Sequence, residues 1–186
     1  KAFKTKNLKK ISNIQNKSFE LSLLLSVPAS FGLILASEEI VNALFGYGSF
    51  SKDDVALTAE ALKYFGFGVP AFALVKILSN FYFARDNTKT PFYISMFIVI
   101  LNIFISVSLF SKIGFIIIPI ATSISTWIGV FIYLYLLNLK KALLLKNQLI
   151  FNFIKILVST ILMSLVLLFA LDSYANYLEY FYKYKA

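Results

Sequence analysis

The residues of this chain that are able to carry chemistry are few, and most of them are cations. The sequence holds 18 lysines and arginines, 9 acids, no histidine and no cysteine, for a net charge of +9. Without imidazole or thiol groups, the chain offers no base or nucleophile of those kinds and none of the usual zinc ligands. We therefore expect no disulfide and no zinc site made by this chain alone. The complete prediction developed below also includes no catalytic residue, no other metal site, no cofactor and no enzymatic activity.

Lys76 is the main candidate for a binding residue. It precedes Arg85 by nine positions in an apolar run, which corresponds to roughly 13 Å along a helix. A charge at that depth in a membrane costs at least about 2.5–3.5 kcal/mol. Its helical neighbours include no acid, so the ammonium group either snorkels along Asn80 toward water, faces a wet cavity, or meets an anion elsewhere. The functional hypothesis is a cation that contacts an anionic substrate.

Two further polar residues are candidates for the same site. Asn102 lies in the middle of another apolar run, where it either forms a hydrogen bond between helices or contacts a substrate. Arg85 belongs to the compact polar stretch "ARDNTKTP", residues 84–91, between two apolar runs. The simplest interpretation of that stretch is a short turn joining two helices. Pro91 suits the first turn of the second helix, and Thr88 or Thr90 is expected to cap it.

The elements that position these residues are predicted to be membrane-spanning helices. The chain is 59% hydrophobic with a mean hydropathy of +0.79, whereas soluble domains are about 45–50% apolar. A helix needs roughly 20 apolar residues to cross the hydrocarbon of a bilayer. Five segments meet that requirement: 19–37, 62–84, 91–110, 114–138 and 150–171. The predicted fold class is an all-α, polytopic membrane helix bundle.

The charges of the connecting segments predict how the bundle is oriented. Residues 1–17 contain six lysines and no acid, whereas residues 38–61 contain five acids and one lysine. The later connections alternate between basic and nearly uncharged. Because cytoplasmic loops carry an excess of lysine and arginine, we expect 1–17 to be a basic cytoplasmic segment. The membrane domain would then cover 18–171, and residues 172–186 would form an external tail.

The connection after the first span is predicted to be structured. The stretch "EEIVNALFGYGSF" would continue the first helix and turn at Gly46 and Gly48, where positive φ is allowed. Ser51 and Asp54 have the spacing of a capping box at the start of a helix over about 52–84. Pro70 is expected to kink or loosen that helix, because proline removes a backbone hydrogen bond.

Several of these stretches together resemble the MurJ/MviN family of lipid II flippases, part of the multidrug/oligosaccharidyl-lipid/polysaccharide exporter superfamily. They are "LFGYGSF" (44–50), "GVPAFALVKIL" (68–78) and "FYFARDNTKTP" (81–91), in that order. The last stretch carries Phe83 as one residue more than the family's usual spacing. The resemblance covers about 18–138, and the fifth span agrees in position and apolarity alone. The matched positions are Leu44, Phe45, Gly48, Phe50, Gly68, Lys76, Arg85, Asp86, Thr90 and Pro91.

The resemblance implies a fold, a substrate and partners. Family members have about fourteen spans, and this chain resembles spans nine to thirteen, most of the second lobe, with a further last helix expected after the tail. The implied function is translocation of the undecaprenyl-linked peptidoglycan precursor lipid II across the bacterial inner membrane. The implied partners are membrane lipid, the lipid-linked disaccharide-pentapeptide pyrophosphate, and the N-terminal half of the same transporter.

Two other functions remain open from the sequence. One is a sister exporter of the same superfamily that moves polysaccharide lipids or drugs, although no acid lies in the interior of a predicted span. The other is a non-transporting membrane scaffold for envelope synthesis, for which Lys76 would be dispensable. Nucleic-acid binding is disfavoured, because the basic residues separate apolar runs and do not form a face with interleaved aromatic residues.

Overall fold

The computed structural model describes the backbone of residues 8–185 and the side chains of residues 9–174. Within that part of the chain every regular element is helical, which confirms the all-α prediction. A single turn of 3₁₀-helix, Gly114–Ile116, lies between the fourth and fifth α-helices. The α-helices are α1 Leu8–Leu35, α2 Ser37–Phe45, α3 Lys52–Phe83, α4 Lys89–Ile113, α5 Ile117–Leu139 and α6 Asn147–Lys185.

Four helical stretches of the described residues are long and apolar enough to cross a membrane: 9–35, 52–83, 89–139 and 147–174. The third has 51 residues, or about 76 Å of helix, more than twice a bilayer's hydrocarbon thickness. It is folded in two at Gly114, whose φ of 77° is accessible mainly to glycine. Helices α4 and α5, of 25 and 23 residues, are each long enough to cross a bilayer. They correspond to two of the five predicted spans, and the crossing of a membrane stays a prediction.

Helices α4 and α5 form an antiparallel hairpin. The Asn102 amide donates to Thr122 Oγ1 at 2.7 Å, and the Tyr133 hydroxyl lies 3.4 Å from the Pro91 carbonyl oxygen. Pro91 precedes Asn102 in α4 by the same number of residues as Tyr133 follows Thr122 in α5. This register holds only if the two helices run in opposite directions, as consecutive crossings must.

The core lies where α1, α3, α4 and α5 meet near one end of the bundle. Its largest fully buried side chains are Tyr82 and Tyr133, whose ring centroids are 5.8 Å apart. Phe19 of α1 contacts Phe81 of α3 at the same distance, with the rings tilted by 58°. Helix α6 packs on α1 at the edge of the bundle.

The connection between α1 and α3 differs from the prediction in one respect. The first helix does not continue through residue 45: the backbone leaves helical geometry at Ala36, with φ −111° and ψ 24°, and α2 starts anew at Ser37. The capping box is present, because the Asp54 N–H donates to Ser51 Oγ and the Asp54 carboxylate accepts from the Ser51 N–H. Hydrogen bonds from the Ser51 side chain and backbone hold the pKa of Asp54 below its ordinary value of 3.8.

The two ends of the chain are described in part. Residues 8–17 of the predicted basic segment form the first turns of α1, and residues 1–7 lie outside the described part. The predicted tail after residue 171 is a helical continuation of α6 as far as Lys185. The cytoplasmic and external placement of these ends stays a prediction.

Candidate functional site

The middle of α3 is held in place by hydrogen bonds from its neighbours. Pro70 has no N–H to donate to the carbonyl of Gly66, four residues earlier in the helix. That carbonyl oxygen instead accepts a 2.7 Å hydrogen bond from the Ser30 hydroxyl of α1. The helix runs on through Pro70 to Phe83. Pro70, which was expected to kink or loosen α3, thus leaves the Gly66 carbonyl oxygen free to accept the hydrogen bond that connects α3 to α1.

Helix α5 binds two further carbonyl groups of the same stretch. The Ser123 hydroxyl donates to the Tyr64 carbonyl oxygen at 2.7 Å, and the Trp127 indole N–H donates to that of Phe67 at 3.0 Å. Gly68 allows this close approach, because a Cβ atom at that position would lie 2.7 Å from Ser123 Oγ. The orientation of α3 about its axis is therefore fixed by α1 on one side and α5 on the other.

That orientation places Lys76 in an open groove between α1 and α3. The groove has a volume of about 530 Å³, and small side chains from α1 form its floor. Lys76 is exposed there, and within the described residues its ammonium group has no hydrogen-bond or ion-pair partner. The lining residues are Ser18, Leu21, Ser22, Leu25, Ser26, Ala29, Val69, Phe72, Ala73, Lys76 and Ile77.

The groove also contains an unsatisfied hydroxyl group. Ser26 is 6% exposed, and its Oγ has no hydrogen-bond partner in the described part of the chain. An isolated buried polar group costs free energy unless something pairs with it. A cation and several serine hydroxyl groups in one largely apolar groove would together suit an anionic, oxygen-rich group.

Arg85 lies in a different environment. Its Nη2 atom donates to the Ala142 carbonyl oxygen at 2.6 Å, so the side chain binds the loop between α5 and α6. Partial burial lowers the pKa of the guanidinium group, with a smaller opposing effect from Tyr82. Arginine nevertheless stays charged at any physiological pH. The structure does not bring Arg85 into the Lys76 groove, and its contact favours a structural role.

Asn102 is also engaged with protein groups. Its amide nitrogen donates to Thr122 of α5, and its carbonyl oxygen lies 3.5 Å from the Ser106 hydroxyl. Thr122 in turn donates to the Ile118 carbonyl oxygen within α5. Of the two interpretations that the sequence leaves open, this geometry favours the hydrogen bond between helices.

The glycine motif of the α2–α3 connection forms a tight turn. Gly48 has a φ of 69°, as predicted, but Gly46 has a φ of −72°. Gly46 is needed for another reason: a Cβ atom there would lie 2.5 Å from the Asn42 carbonyl oxygen. Phe45 and Phe50 close the turn from either side, with ring centroids 6.2 Å apart.

The polar turn between α3 and α4 is capped by a residue that the sequence did not single out. The Thr90 N–H donates to Asn87 Oδ1 at 3.1 Å, and the Asn87 amide donates to Thr90 Oγ1 at 3.0 Å. Thr88 makes no capping hydrogen bond, so the predicted threonine cap is wrong. Pro91 lies in the first turn of α4 as expected, and Asp86 takes a φ of 57°.

A second polar cluster, at the start of α1, was not predicted. Gln15 is fully buried; its amide donates to the Ala142 carbonyl oxygen at 3.0 Å and its carbonyl accepts from the Leu144 N–H at 2.9 Å. Ser12 and Asn16 both donate to the Leu144 carbonyl oxygen at 2.8 Å. A run of uncharged polar residues on a helix was the available signal, but its partners are backbone groups more than 120 residues away.

An apolar cavity of about 560 Å³ lies among α1, α3, α5 and α6. Phe31 and Ile34 of α1, Trp127 of α5 and Phe153 of α6 line it, together with Pro70. Such a space is suited to hydrocarbon. The groove with Lys76 and this cavity lie against different faces of α3.

The sequence and the fold of this chain are similar to those of known proteins. The family described as lipid II flippase MurJ matches residues 1–185. The chain belongs to the MurJ family. This match includes the fifth span, for which the sequence motifs gave no signal. The resemblance deduced from residues 44–91 is thereby confirmed.

Individual relatives agree with this assignment. The probable lipid II flippase MurJ of Rickettsia prowazekii is 39% identical over 127 residues, which are 68% of this chain and 25% of that protein. The lipid II flippase MurJ of Thermosipho africanus is 31% identical over 167 residues, 86% of this chain and 34% of that protein. A solved structure of lipid II flippase MurJ in an inward closed conformation superposes with a TM-score of 0.74 at 30% identity, covering 87% of this chain and 33% of that one. The chain thus spans about a quarter to a third of these MurJ proteins.

Proposed function

We propose that this chain supplies five crossings of the second lobe of a lipid II flippase in the bacterial inner membrane. The observation that carries the proposal is the exposed, unpaired Lys76 in the membrane-embedded groove between α1 and α3. Membership of the MurJ family and the multi-pass helical fold support it. The loop charges support an orientation with the start of α1 in the cytoplasm and the end of α6 outside.

The proposed mechanism is alternating access without covalent chemistry. Two lobes rock against each other, and the polar head group of lipid II crosses between them while its tail stays in lipid. The Lys76 ammonium group contacts either the pyrophosphate or an acid of the opposing lobe, which offsets the cost of at least about 2.5–3.5 kcal/mol for a charge inside the membrane. Because the matched segment is only about a quarter to a third of the relatives' length, the opposite wall of the cavity would come from other segments of the transporter.

The apolar side of the substrate has a separate place in this proposal. The cavity among α1, α3, α5 and α6 is lined almost entirely by apolar side chains and is a candidate for holding part of the polyprenyl tail. Holding a hydrocarbon chain requires no acid, base or metal. The proposal therefore includes no enzymatic step and no cofactor, and its partners are lipid II, membrane lipid and the rest of the transporter.

Rescue of cells depleted of their lipid II flippase tests the proposal. The complete coding sequence that contains these residues is expected to restore growth, whereas a gene for the 186 residues alone is expected not to, because it offers only one wall of the cavity. Membrane abundance is compared by immunoblot. Failure of the complete protein at normal abundance would favour the sister exporter or the scaffold, and rescue by the 186 residues alone would refute the partial-lobe proposal.

A further inference from the structure

A polar pocket lies at the N-terminal ends of α1 and α6. It shares Leu21 with the groove that contains Lys76, but Lys76 itself does not line it. It has a volume of about 350 Å³ and is open to the surface. Two lysines, one glutamate and several amides line it, above two leucines. The lining residues are Asn13, Asn16, Lys17, Glu20, Leu21, Lys146, Gln148, Leu149 and Asn152. We propose that this pocket binds the phosphate group of an anionic phospholipid.

Hydrogen bonds within the pocket leave an excess of donors. Lys146 Nζ donates to Asn13 Oδ1 at 2.7 Å, which uses one of its three protons and orients the ammonium group. Glu20 Oε1, the carboxylate of the pocket, accepts from the Asn152 amide at 3.1 Å. The remaining ammonium protons of Lys146 and all three of Lys17 are donors. Two cations and one engaged carboxylate favour an acceptor-rich ligand of negative charge.

The wall of the pocket is built by fixed contacts. The amide of Asn16 donates to the carbonyl oxygens of Ser12 at 2.7 Å and Leu144 at 2.8 Å, and its Oδ1 accepts from the Lys146 N–H at 2.9 Å. These bonds connect α1 to the segment that leads into α6. Lys146 is therefore positioned by its backbone as well as by its side chain, and a ligand meets a site that is already formed.

The surroundings favour a lipid over a free anion. Leu21 and Leu24, four and seven residues after Lys17, continue the same face of α1 into the hydrocarbon, and each is 49% exposed. Basic pockets between membrane helices at the cytoplasmic side are known to hold anionic head groups. A phosphodiester in the pocket would thus have its acyl chains beside exposed aliphatic side chains.

The same end of the bundle is strongly basic outside the pocket, which attracts anionic lipid to it. In the described part of this end, outside the pocket, there are six cations and one acid, Asp86. The cations are Lys9, Lys10, Arg85, Lys89, Lys140 and Lys141. This excess of positive charge would raise the local concentration of anionic lipid but would not by itself bind one lipid at a defined position. The pocket provides that defined binding site. The inference goes beyond transport and does not depend on which lipid the protein translocates.

Lipid-dependent thermal stabilisation of the complete purified protein tests the assignment. Phosphatidylglycerol is added in neutral detergent, with phosphatidylcholine of the same acyl chains as the comparison. A ligand that binds the folded state raises the melting temperature in a saturable manner. Phosphatidylglycerol is expected to do so and phosphatidylcholine is not. The variant Lys17→Gln/Lys146→Gln is expected to need at least about tenfold more phosphatidylglycerol for half of the effect.

Two control variants separate this site from a general charge effect. Lys89→Gln/Lys141→Gln removes the same charge from the same end of the bundle but outside the pocket, and it should lose much less of the response than the pocket variant does. Lys17→Arg/Lys146→Arg keeps the charge and should also respond. Melting temperatures without lipid check that each variant is folded.

Any of five results would overturn the assignment. Four of them are an equal response to both phospholipids, an unchanged response of the pocket variant, an equal loss in the Lys89/Lys141 control, and the same stabilisation by millimolar inorganic phosphate alone. A response to undecaprenyl phosphate at far lower concentration than to phosphatidylglycerol would also overturn it, because the pocket would then belong to the substrate. Each of these results is distinct from failure to rescue flippase-depleted cells.

Discussion

Two cations close together in the sequence have different surroundings. Arg85 lies two residues after the end of α3, where its guanidinium group donates to the Ala142 carbonyl oxygen at 2.6 Å. Lys76 lies about 13 Å deeper in the helix, and its ammonium group has no partner among the described residues. The hydrogen bond of Arg85 stabilises the loop between α5 and α6. The ammonium group of Lys76, by contrast, is available to an anion in the groove. This difference is the reason that we propose Lys76, and not Arg85, as the functional residue.

The hydrogen bond of Asn102 gives a prediction at the scale of single residues. Asn102→Leu should cost roughly 0.6 kcal/mol and no more than about 1.7 kcal/mol of stability, which is typical of hydrogen bonds between membrane helices. Rescue of flippase-depleted cells by the complete protein should persist. Thermal melting and rescue measure the two effects.

Thr122→Val is the matched control, because it removes the acceptor of the same hydrogen bond. The double variant should lose little more stability than either single variant. Loss of rescue by Asn102→Leu at normal abundance, with rescue by Thr122→Val, would instead assign Asn102 to the substrate.

Single residues were predicted from the sequence with unequal success. The Ser51–Asp54 capping box followed from local spacing, because both partners lie within one helical turn. The capping residue of α4 did not follow from local spacing. The helix start offers three side chains that are able to cap it, those of Asn87, Thr88 and Thr90. The choice among them depends on side-chain rotamers set by the packed turn. The pairing of Asn102 with Thr122 required the register of a hairpin, which composition does not give.

Among the elements, α3 determines the shape of the bundle. Three of its carbonyl groups, at Tyr64, Gly66 and Phe67, accept side-chain hydrogen bonds from α1 or α5. Most backbone carbonyls of a membrane helix bond within their own helix, and extra side-chain donors appear where helices approach closely. The result is a central helix whose Lys76 face and cavity face are both fixed.

Gly68 gives a prediction at this scale. Gly68→Ala would place a methyl group 2.7 Å from Ser123 Oγ and 2.8 Å from Phe72 Cζ. We expect it to separate α3 from α5 and to lower the stability of the complete protein by about 1–3 kcal/mol, as overpacking does. Thermal melting in detergent measures the change.

Gly32→Ala is the control for Gly68→Ala. A Cβ atom at Gly32 in α1 meets no atom within 4 Å, so alanine there should be neutral or should stabilise the helix by about 0.5–1 kcal/mol. Equal melting temperatures for the two variants would contradict the close approach of α3 and α5.

The elements themselves were largely predictable, because a membrane requires long apolar helices and the sequence contains five of them. The break at Ala36 was not, since no proline or glycine marks it. Nor was the attachment of the 142–146 loop to Gln15 and Asn16, because hydrogen bonds to backbone atoms leave no signature in the distant sequence. The hypothesis that Lys76 is a cation inside the membrane required only its position along the apolar run, and it stays a prediction.

At the scale of the whole molecule, the chain resembles one wall of a transport pathway. Its groove with Lys76 is open along α1 and α3, and the segment that it matches is about a quarter to a third of the MurJ proteins' length. A wall of this kind transports nothing by itself, because alternating access requires two parts that move against each other. The proposed function therefore belongs to the complete flippase, and this chain contributes its cation to it.

The comparison of Lys76→Ala with Lys76→Arg in the complete protein tests this account most directly. Both variants are expressed in flippase-depleted cells at membrane levels matched to wild type. We expect wild type to rescue growth, Lys76→Ala to fail or to rescue at least about tenfold less well, and Lys76→Arg to retain most of the activity because it keeps the charge. Full rescue by Lys76→Ala at equal abundance would contradict the claim that this lysine acts in translocation.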